Sequence, residues 1–252
     1  MALAITIDGP AGAGKSTTAR RMSKKSGFNY VDTGLFYRSI GAGIRMEIGK
    51  HPREVAETDI VAWAQENYSR IGQLGTVALL DGENITALCR DVESGAAASA
   101  VAKIQEVRDI TDAWTVATVG SDQNTYAITE GRDEARLHTS VGQFACGFYL
   151  TASSELRAYR RYTELVSQEN ATEHPEIQDI LLAILKRDMQ DMTRDVSPLS
   201  PVFSDHFRFV AVEDDLPVPT TGWQLGIESG AFQGREEKQD NLMLAGIDRI
   251  VA

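Results

Sequence analysis

The chain is poor in three things: cysteine, positive charge and long apolar runs. Its 252 residues include only two cysteines, Cys89 and Cys146, with no C-x-x-C pair and no other spacing typical of metal ligands. We therefore expect two buried thiols in a reducing compartment. The count and spacing favour free thiols over a disulfide bridge and do not indicate a metal site.

Basic residues are outnumbered, with 25 Lys and Arg against 36 Asp and Glu, which gives a formal net charge of −11. An acidic chain is a poor partner for nucleic acid or an anionic membrane, although a few converging basic side chains can still bind a small anion. No window approaches the roughly 20 apolar residues that a membrane span needs. The N-terminal residues lack the basic and apolar regions of a signal peptide, so we expect a cytoplasmic protein.

Apolar strand patterns alternate with helical patterns, and this alternation predicts an α/β fold with a parallel sheet of about five strands. The strand patterns cover residues 3–7, 28–31, 125–129, 146–152 and 207–212. The helical patterns cover residues 15–25, 35–47, 54–68, 104–114, 155–169 and 177–192. Asp81-Gly82 lies between β-rich flanks and predicts a hairpin. Residues 213–234 read as a loop, and residues 235–251 as a terminal helix.

The stretch "GPAGAGKS", from Gly9 to Ser16, matches the phosphate-loop pattern G-x-x-x-x-G-K-S between a predicted strand and a predicted helix. Backbone N–H groups of such a loop point at phosphate oxygens, and the helix N-terminus favours negative charge. Lys15 can reach the β- and γ-phosphates, and the Ser16 hydroxyl can bind Mg²⁺. We assign the nucleotide phosphates to Gly9, Pro10, Ala11, Gly12, Ala13, Gly14, Lys15, Ser16 and Thr17. The motif by itself does not separate kinases from GTPases or ATPases.

Two further segments follow predicted strands directly. "DTGLFYR" places Thr33 and Arg38 at the carboxyl edge of the sheet, where ligands of doubly wound folds bind. "EGRD" occupies the corresponding place after a later strand, at residues 130–133. For Arg38 alone, a solvated helix charge is the alternative interpretation.

Two helices carry clustered charges. In "KRDMQDMTR", three side chains are spaced 4 and 3 residues apart and share one helix face, namely Arg187, Asp191 and Arg194. The segment "RAYRR" contains Arg157, Arg160 and Arg161. The first pattern is also typical of a surface salt-bridge stripe. The second is also typical of a solvated face, although a mobile basic helix could close over phosphates.

Taken together, these segments resemble the cytidylate kinase family of P-loop nucleoside monophosphate kinases. The resembling segments are "ITIDGPAGAGKSTTARR", "YVDTGLFYRSI", "LLDGENIT", "AAASAVAKIQEVRD", "EGRD", "YLTASSELRAYRRYTEL" and "ILKRDMQDMTRDVSPLSP". They run in the family's order from Ile5 to Pro201, about four fifths of the chain. Their order and number make the resemblance more specific than the phosphate loop alone.

The resemblance implies a role for each matching position. It places Thr33 and Arg38 at the monophosphate, Ser99 and Arg108 at the cytosine, and Arg132 and Asp133 near the acceptor phosphate and sugar. It places Arg187, Asp191 and Arg194 on the helix that closes the acceptor site. It also implies a lid of Arg157, Arg160 and Arg161 over the donor phosphates, and a catalytic set of Lys15, Arg132, Arg157 and Arg161.

The resemblance implies a three-layer P-loop NTPase fold that forms a single kinase domain over residues 1–252. A monophosphate-binding insert would cover residues 72–112, a helical lid residues 154–171, and a divergent tail residues 213–252. The implied reaction is phosphoryl transfer from ATP, with Mg²⁺, to CMP or dCMP by a monomer. Two alternatives stay open: a nucleotide-binding relative with impaired catalysis, and a kinase for another small acceptor.

The chain departs from the family pattern after "GRD". The family continues with one residue and then Gly-Thr, whereas this chain reads "GRDEARLHTSVGQFACGFYL". The segment is longer and lacks the Gly-Thr pair, so we expect a different loop geometry behind Asp133.

Overall fold

The structure is a computed structural model that describes residues 2–91, 93–121, 125–166, 176–193, 199 and 207–211. Four predictions fall outside these residues. They are the role of Arg194, the lid at residues 167–171, the strand end at Val212, and the tail at residues 213–252 with its loop and helix.

The secondary structure of the described residues alternates strands with helices, as the sequence predicts. In chain order the elements are β1 (Leu3–Asp8), α1 (Lys15–Ser26), β2 (Asn29–Asp32), α2 (Thr33–Glu47), α3 (Glu57–Asn67), β3 (Ile71–Leu74), β4 (Val77–Leu80), β5 (Glu83–Asn84), α4 (Ser94–Val101), α5 (Gln105–Gly120), β6 (Tyr126–Glu130), α6 (Glu134–Ser140), β7 (Phe144–Thr151), α7 (Ser154–Val166), α8 (Ile177–Thr193) and β8 (Phe207–Ala211). None of these helices is both long and apolar enough to cross a lipid bilayer.

Five of the strands form one sheet in the order β2-β6-β1-β7-β8, and every neighbouring pair is parallel. This confirms the predicted α/β class with a parallel sheet. Strand β1 lies between β6 and β7, so its apolar residues Ile5 and Ile7 are buried and pack with Ile128, Phe148 and Leu150. The carboxyl end of β1 therefore opens between two neighbouring strand ends, where doubly wound sheets bind ligands.

Helices α1 and α2 both begin at the carboxyl edge of the sheet. Helix α1 follows Gly14, whose φ of 94° is in the left-handed region that glycine tolerates. Helix α2 begins right after Asp32, whose side chain accepts a 2.9 Å hydrogen bond from the Leu35 N–H and caps the helix. Both N-termini consequently face the same crevice.

The residues of the predicted insert contribute to a second, small sheet and share a hydrophobic core with α2 and α3. Strands β3, β4 and β5 are antiparallel, and Asp81 and Gly82 take positive φ angles of 53° and 81° between β4 and β5, which confirms the predicted hairpin. Helix α4 packs on α2, and α5 packs on α3 and α2. A hydrophobic cluster that includes Phe36, Trp63 and Val107 fills the space between them.

Two helices, α4 and α6, were not predicted from the sequence. Where the pattern after "GRD" suggested a longer loop, the structure has helix α6. The Asp8 carboxylate accepts 2.9 Å hydrogen bonds from the backbone N–H groups of Glu134 and Ala135, and so satisfies the exposed donors of the first turn. Because Asp8 lies 126 positions away in sequence, local patterns could not indicate this cap.

Candidate active site

The phosphate loop connects β1 to α1 at the centre of the sheet edge. Gly9 has a φ of 145°, and a Cβ at this position would overlap the Leu150 carbonyl oxygen, so only glycine fits. Gly12 and Gly14 also have positive φ angles, of 73° and 94°. The backbone can therefore wrap as closely as the sequence pattern requires for phosphate binding.

Lys15 is the first residue of α1 and folds back over this loop. Its ammonium group donates a 2.9 Å hydrogen bond to the Pro10 carbonyl oxygen. Burial, together with the nearby Arg132 and Arg187 guanidinium groups, lowers the pKa of Lys15 to about 7. A polyanion placed here would relieve this repulsion and favour the charged amine.

Arg132 joins the phosphate loop to helix α8. Its Nη1 donates to the Gly9 carbonyl oxygen, and its Nε donates a 3.0 Å hydrogen bond to Asp191 Oδ2. The residues come from three distant parts of the chain, so the contact depends on the tertiary fold. It places one cation between the predicted donor and acceptor sites.

Arg187 and Asp191 share one face of α8, as their spacing predicts. Arg187 Nε lies 4.0 Å from Asp191 Oδ2, and burial is the main cause that lowers the pKa of Arg187 to about 10, with Arg132 and Arg38 as nearby positive charges. A Cβ built on Gly95 of α4 would lie 3.4 Å from Arg187 Nη1. Helix α8 thus reaches the insert, and the cations converge on one region.

The basic helix α7 approaches the phosphate loop through two of its three arginines. Arg157 is buried and donates to Ala11 O at 3.0 Å and to Asp188 Oδ2 at 2.5 Å. Arg160 Nη1 donates to the Ala13 carbonyl oxygen at 3.4 Å. Arg161 lies instead on the exposed side, where it pairs with Glu164 at 2.7 Å.

On the predicted acceptor side, Arg108 and Asp133 lie near each other, and Arg38 is held by a separate contact. The Arg108 side chain is buried, with its guanidinium carbon 5.8 Å from the centre of the Tyr37 ring and its Nη2 3.9 Å from Asp133 Oδ2. Asp133 also pairs with Arg136 at 2.6 Å. Arg38 donates a 3.4 Å hydrogen bond to the carbonyl oxygen of Cys89.

Ser99 and Thr33 lie in other surroundings. Ser99, on α4, lines a shallow groove with Pro52, Arg53 and Lys103. Thr33 is the first residue of α2 and is buried, with its hydroxyl in hydrogen bonds within the protein. The roles that the resemblance assigns to Ser99 and Thr33 stay predictions.

Sequence reasoning missed a buried acidic group behind the phosphate loop. It consists of Asp8 at the end of β1, and Glu134 on α6 with the buried His138 one turn later. Burial raises the pKa of Asp8 to about 6, against the two backbone hydrogen bonds that lower it. The available signal was Asp8 immediately before the phosphate loop, since a carboxylate at a strand end can cap a neighbouring helix.

Within the described residues, no group of three or more His, Cys, Asp or Glu side chains could hold a metal ion. Ser16 is exposed in the first turn of α1 beside Lys15. A single hydroxyl at a phosphate-binding loop fits Mg²⁺ that is held chiefly by nucleotide phosphates and water, because Mg²⁺ takes few protein ligands.

Comparison with known proteins gives one consistent family. The model of the cytidylate kinase family matches residues 5–206. The cytidylate kinase of Caldanaerobacter subterraneus subsp. tengcongensis is 38% identical over 197 residues, which cover 78% of this chain and 82% of that protein. The cytidylate kinase of Fervidobacterium nodosum is 34% identical and covers 77% and 83%, respectively. That of Alkaliphilus oremlandii is 34% identical over 225 residues and covers 86% and 90%.

Proposed function

The chain belongs to the cytidylate kinase family, and on that premise we propose the reaction at its site: transfer of the γ-phosphoryl group of ATP to CMP or dCMP. The products are ADP and CDP or dCDP. The bond from the γ-phosphorus to the β,γ-bridging oxygen breaks, and a bond from that phosphorus to an oxygen of the acceptor phosphate forms. ADP leaves with the electron pair of the broken bond.

The position of Arg132 is the observation that carries this proposal. It contacts the phosphate loop at Gly9 and the acceptor-side helix at Asp191. The positive charge of Arg132 repels those of Lys15 and Arg187, and it lowers the pKa of each in part. A group in transfer between the two substrates would meet positive charge from both sides, which is what phosphoryl transfer requires.

Alignment and charge neutralisation account for catalysis in this proposal. The acceptor phosphate is already an anion at neutral pH, so its oxygen needs no general base. Lys15 would hold the donor phosphates, and Arg38 and Arg187 would hold the acceptor, which brings the reacting atoms into line. Positive charge concentrated here also explains how a chain of net charge −11 binds two anions.

Two parts of the chain would close over the substrates and exclude water from the reaction. We assign the lid to residues 154–171, with Arg157 and Arg160 nearest the loop and Arg161 available on the same helix. We assign the monophosphate-binding insert to residues 72–112. We further propose that the protein acts as a monomer in the cytoplasm, as the sequence predicts.

Mg²⁺ is the proposed cofactor, with Ser16 as its protein ligand. When bound, it neutralises charge on the β- and γ-phosphates of ATP. Ser16 fits because its side chain is exposed directly beside Lys15. Arg194, which lies outside the described residues, is proposed with Arg187 for the acceptor phosphate.

Base selection would come from Arg108 and Asp191, with Ser99 as a further hydroxyl. Cytosine presents an amino donor beside two acceptors, whereas uracil presents a carbonyl and an N–H. A carboxylate accepts from the amino group of cytosine, and an arginine donates to its acceptors. The wrong base would leave buried polar groups unpaired, so we expect preference for CMP and dCMP over UMP.

The direct test measures ADP formation from ATP and Mg²⁺ with CMP, dCMP, UMP, AMP, GMP and shikimate in separate reactions. We expect turnover that depends on CMP or dCMP, with little from the other acceptors. Nucleotide binding without turnover would contradict the proposed activity. Turnover only with a non-nucleotide acceptor would contradict the proposed substrate.

A further inference from the structure

Glu134 occupies an unusual place beside the acceptor site. It is the first residue of α6 and only 6% exposed, and its Oε1 lies 2.8 Å from the hydroxyl oxygen of Thr33. Gly131 leaves the space for this contact, since a Cβ there would lie 2.6 Å from Thr33 Oγ1 and would also collide with the Glu134 carboxyl. The start of α2, the turn at Gly131 and the start of α6 are therefore arranged around the contact between Thr33 and Glu134.

Counting protons fixes the chemical state of this pair. Thr33 Oγ1 lies 2.9 Å from the Glu130 carbonyl oxygen and 2.8 Å from Glu134 Oε1. A hydroxyl has one proton to donate, and a carbonyl oxygen has none. The single proton of Thr33 can be aligned with only one of these two acceptors, and the carboxyl of Glu134 is the group that can supply a proton for the second contact. The order of donation is then Glu134 to Thr33, and Thr33 to the Glu130 carbonyl.

The surroundings of Glu134 agree with an uncharged acid. Its other oxygen, Oε2, is buried without a hydrogen-bond partner and lies 3.8 Å from His138 Nε2. Gln143 Nε2 donates to the Val116 carbonyl, so its Oε1 faces His138 Nδ1 at 3.2 Å and accepts a hydrogen bond from the N–H of that nitrogen. His138 Nε2 then carries a lone pair and no charge, and burial lowers the pKa of His138 to about 4. The histidine gives no positive charge to stabilise a carboxylate.

Negative groups around Glu134 favour the same state. Burial raises its pKa well above the usual value, and the carboxyl of Asp8 acts in the same direction. The titratable and charged groups that face it are Asp8 on β1, Tyr37 on α2, Asp112 on α5, and Asp133, Arg136 and His138 on α6. Most of these are acidic or neutral, so ionised Glu134 would add a buried like charge.

We propose that Glu134 is a protonated carboxylic acid that positions Thr33 by donating a hydrogen bond to its hydroxyl. Thr33 begins α2, the helix that carries Arg38, so the pair fixes a helix N-terminus at the acceptor side of the site. An ionised Glu134 would instead accept the proton of the Thr33 hydroxyl, take it from the Glu130 carbonyl, and place negative charge behind a site for an anion. The assignment of this side of the site to the acceptor rests on the proposed function. The protonation of Glu134 and its hydrogen bond to Thr33 do not.

Three variants test the proposal. Glu134→Gln keeps the shape and replaces the acid O–H with an amide N–H donor, whereas Glu134→Ala removes the donor. Glu106→Gln is the matched control, because Glu106 is an exposed glutamate in the first turn of α5. This variant makes the same chemical change, glutamate to glutamine, at a side chain that is exposed to solvent.

The first readout is a difference infrared spectrum at pH 7 that compares the wild type with each glutamine variant. We expect the C=O stretching band of a protonated carboxylic acid to be lost in Glu134→Gln and to be absent from the Glu106→Gln difference. A carboxylate band lost in both variants would overturn the proposal. This measurement requires no substrate, so it stands apart from any failure of the proposed kinase activity.

The second readout is the unfolding equilibrium as a function of pH. A raised folded-state pKa means that the folded chain keeps a proton that the unfolded chain releases above about pH 4.5. The wild type should therefore lose stability relative to Glu134→Gln as pH rises, by up to about tenfold in the unfolding constant per pH unit. Glu106→Gln should show no such slope. A Glu134→Gln variant less stable than the wild type by the same amount from pH 5 to 8 would indicate an ionised carboxylate.

The third readout separates positioning from simple packing. We expect Glu134→Gln to retain the KM for CMP of the wild type at pH 6, and to keep it at higher pH where the KM of the wild type rises. Glu134→Ala should raise the KM at every pH, with a smaller effect on kcat. Equal defects in the glutamine and alanine variants would show that the hydrogen bond to Thr33 has no role.

Discussion

The phosphate loop and the acceptor side of the site are built in different ways. The loop is one continuous stretch, Gly9 to Ser16, and its shape comes from glycine φ angles and from the β1–α1 connection. The acceptor side is assembled from side chains on α2, α5, α8 and the β6–α6 turn. The first presents mainly backbone N–H groups and one lysine, while the second presents arginines paired with carboxylates.

This difference has a physical consequence. A backbone cradle keeps its geometry when a single side chain is changed, because the chain path itself forms the site. An assembled site depends on pairs such as Arg132–Asp191, in which loss of one partner removes the main ion pair of the other. Substitutions on the acceptor side should therefore alter specificity and geometry together. Replacement of the Lys15 side chain should leave the geometry of the phosphate loop unchanged.

The largest effect is expected for Lys15→Met. Removing a charge aimed at the transferring group should lower kcat by about a thousandfold or more. The same variant should be more stable than the wild type, because burial lowers the folded-state pKa of Lys15 to about 7 from 10.5 and so disfavours the charged amine. Steady-state kinetics and denaturant unfolding check the two parts.

The size of that stability gain depends on pH. Below about pH 7 the lysine is charged in both states, so the folded chain bears the full penalty; between pH 7 and 10.5 the folded chain releases its proton and the penalty declines. The gain from Lys15→Met should thus be larger at pH 6 than at pH 9. An active and less stable variant would contradict the assignment of the phosphate loop.

A smaller effect is expected for Asp191→Ala on the acceptor side. Loss of the carboxylate should weaken use of CMP about tenfold or more while UMP changes less, which narrows the ratio of kcat/KM values. Asp179→Ala, at an exposed position in the first turn of the same helix, is the control and should leave the ratio unchanged. An unchanged ratio in Asp191→Ala would show that this side chain orients Arg132 without reading the base.

The smallest effect separates two neighbours on α7. Arg160 donates to the phosphate loop at Ala13, whereas Arg161 pairs with Glu164 on the surface. Arg160→Ala should lower kcat/KM for ATP by about tenfold, the loss of one charge-assisted contact. Arg161→Ala should change it by less than about twofold, as for an exposed ion pair. The reverse order would show that Arg161, and not Arg160, acts on the donor phosphates.

Local patterns allowed several features to be predicted. The phosphate loop, the Asp81-Gly82 hairpin and the shared face of Arg187 and Asp191 all depend on residues within a few positions of one another. Helix α6 could not be predicted in this way, because its cap is Asp8 from the far end of the sequence. The surroundings of Ser99 also depend on packing, since the groove beside it includes Pro52 and Arg53.

The sequence by itself determined the alternation of strands and helices, the donor-phosphate loop and, through the order of its motifs, the family. These properties are local or sequential, and glycine spacing, apolar periodicity and motif order record them directly. The tertiary structure alone decided that Arg132 links Gly9 to Asp191 and that Arg160, not Arg161, faces the loop. It also decided that Glu134 meets Thr33 across 101 positions of chain. Such contacts arise when parallel strands bring distant ends to one edge of a sheet, and their hydrogen bonds then depend on packing that no short stretch of sequence contains.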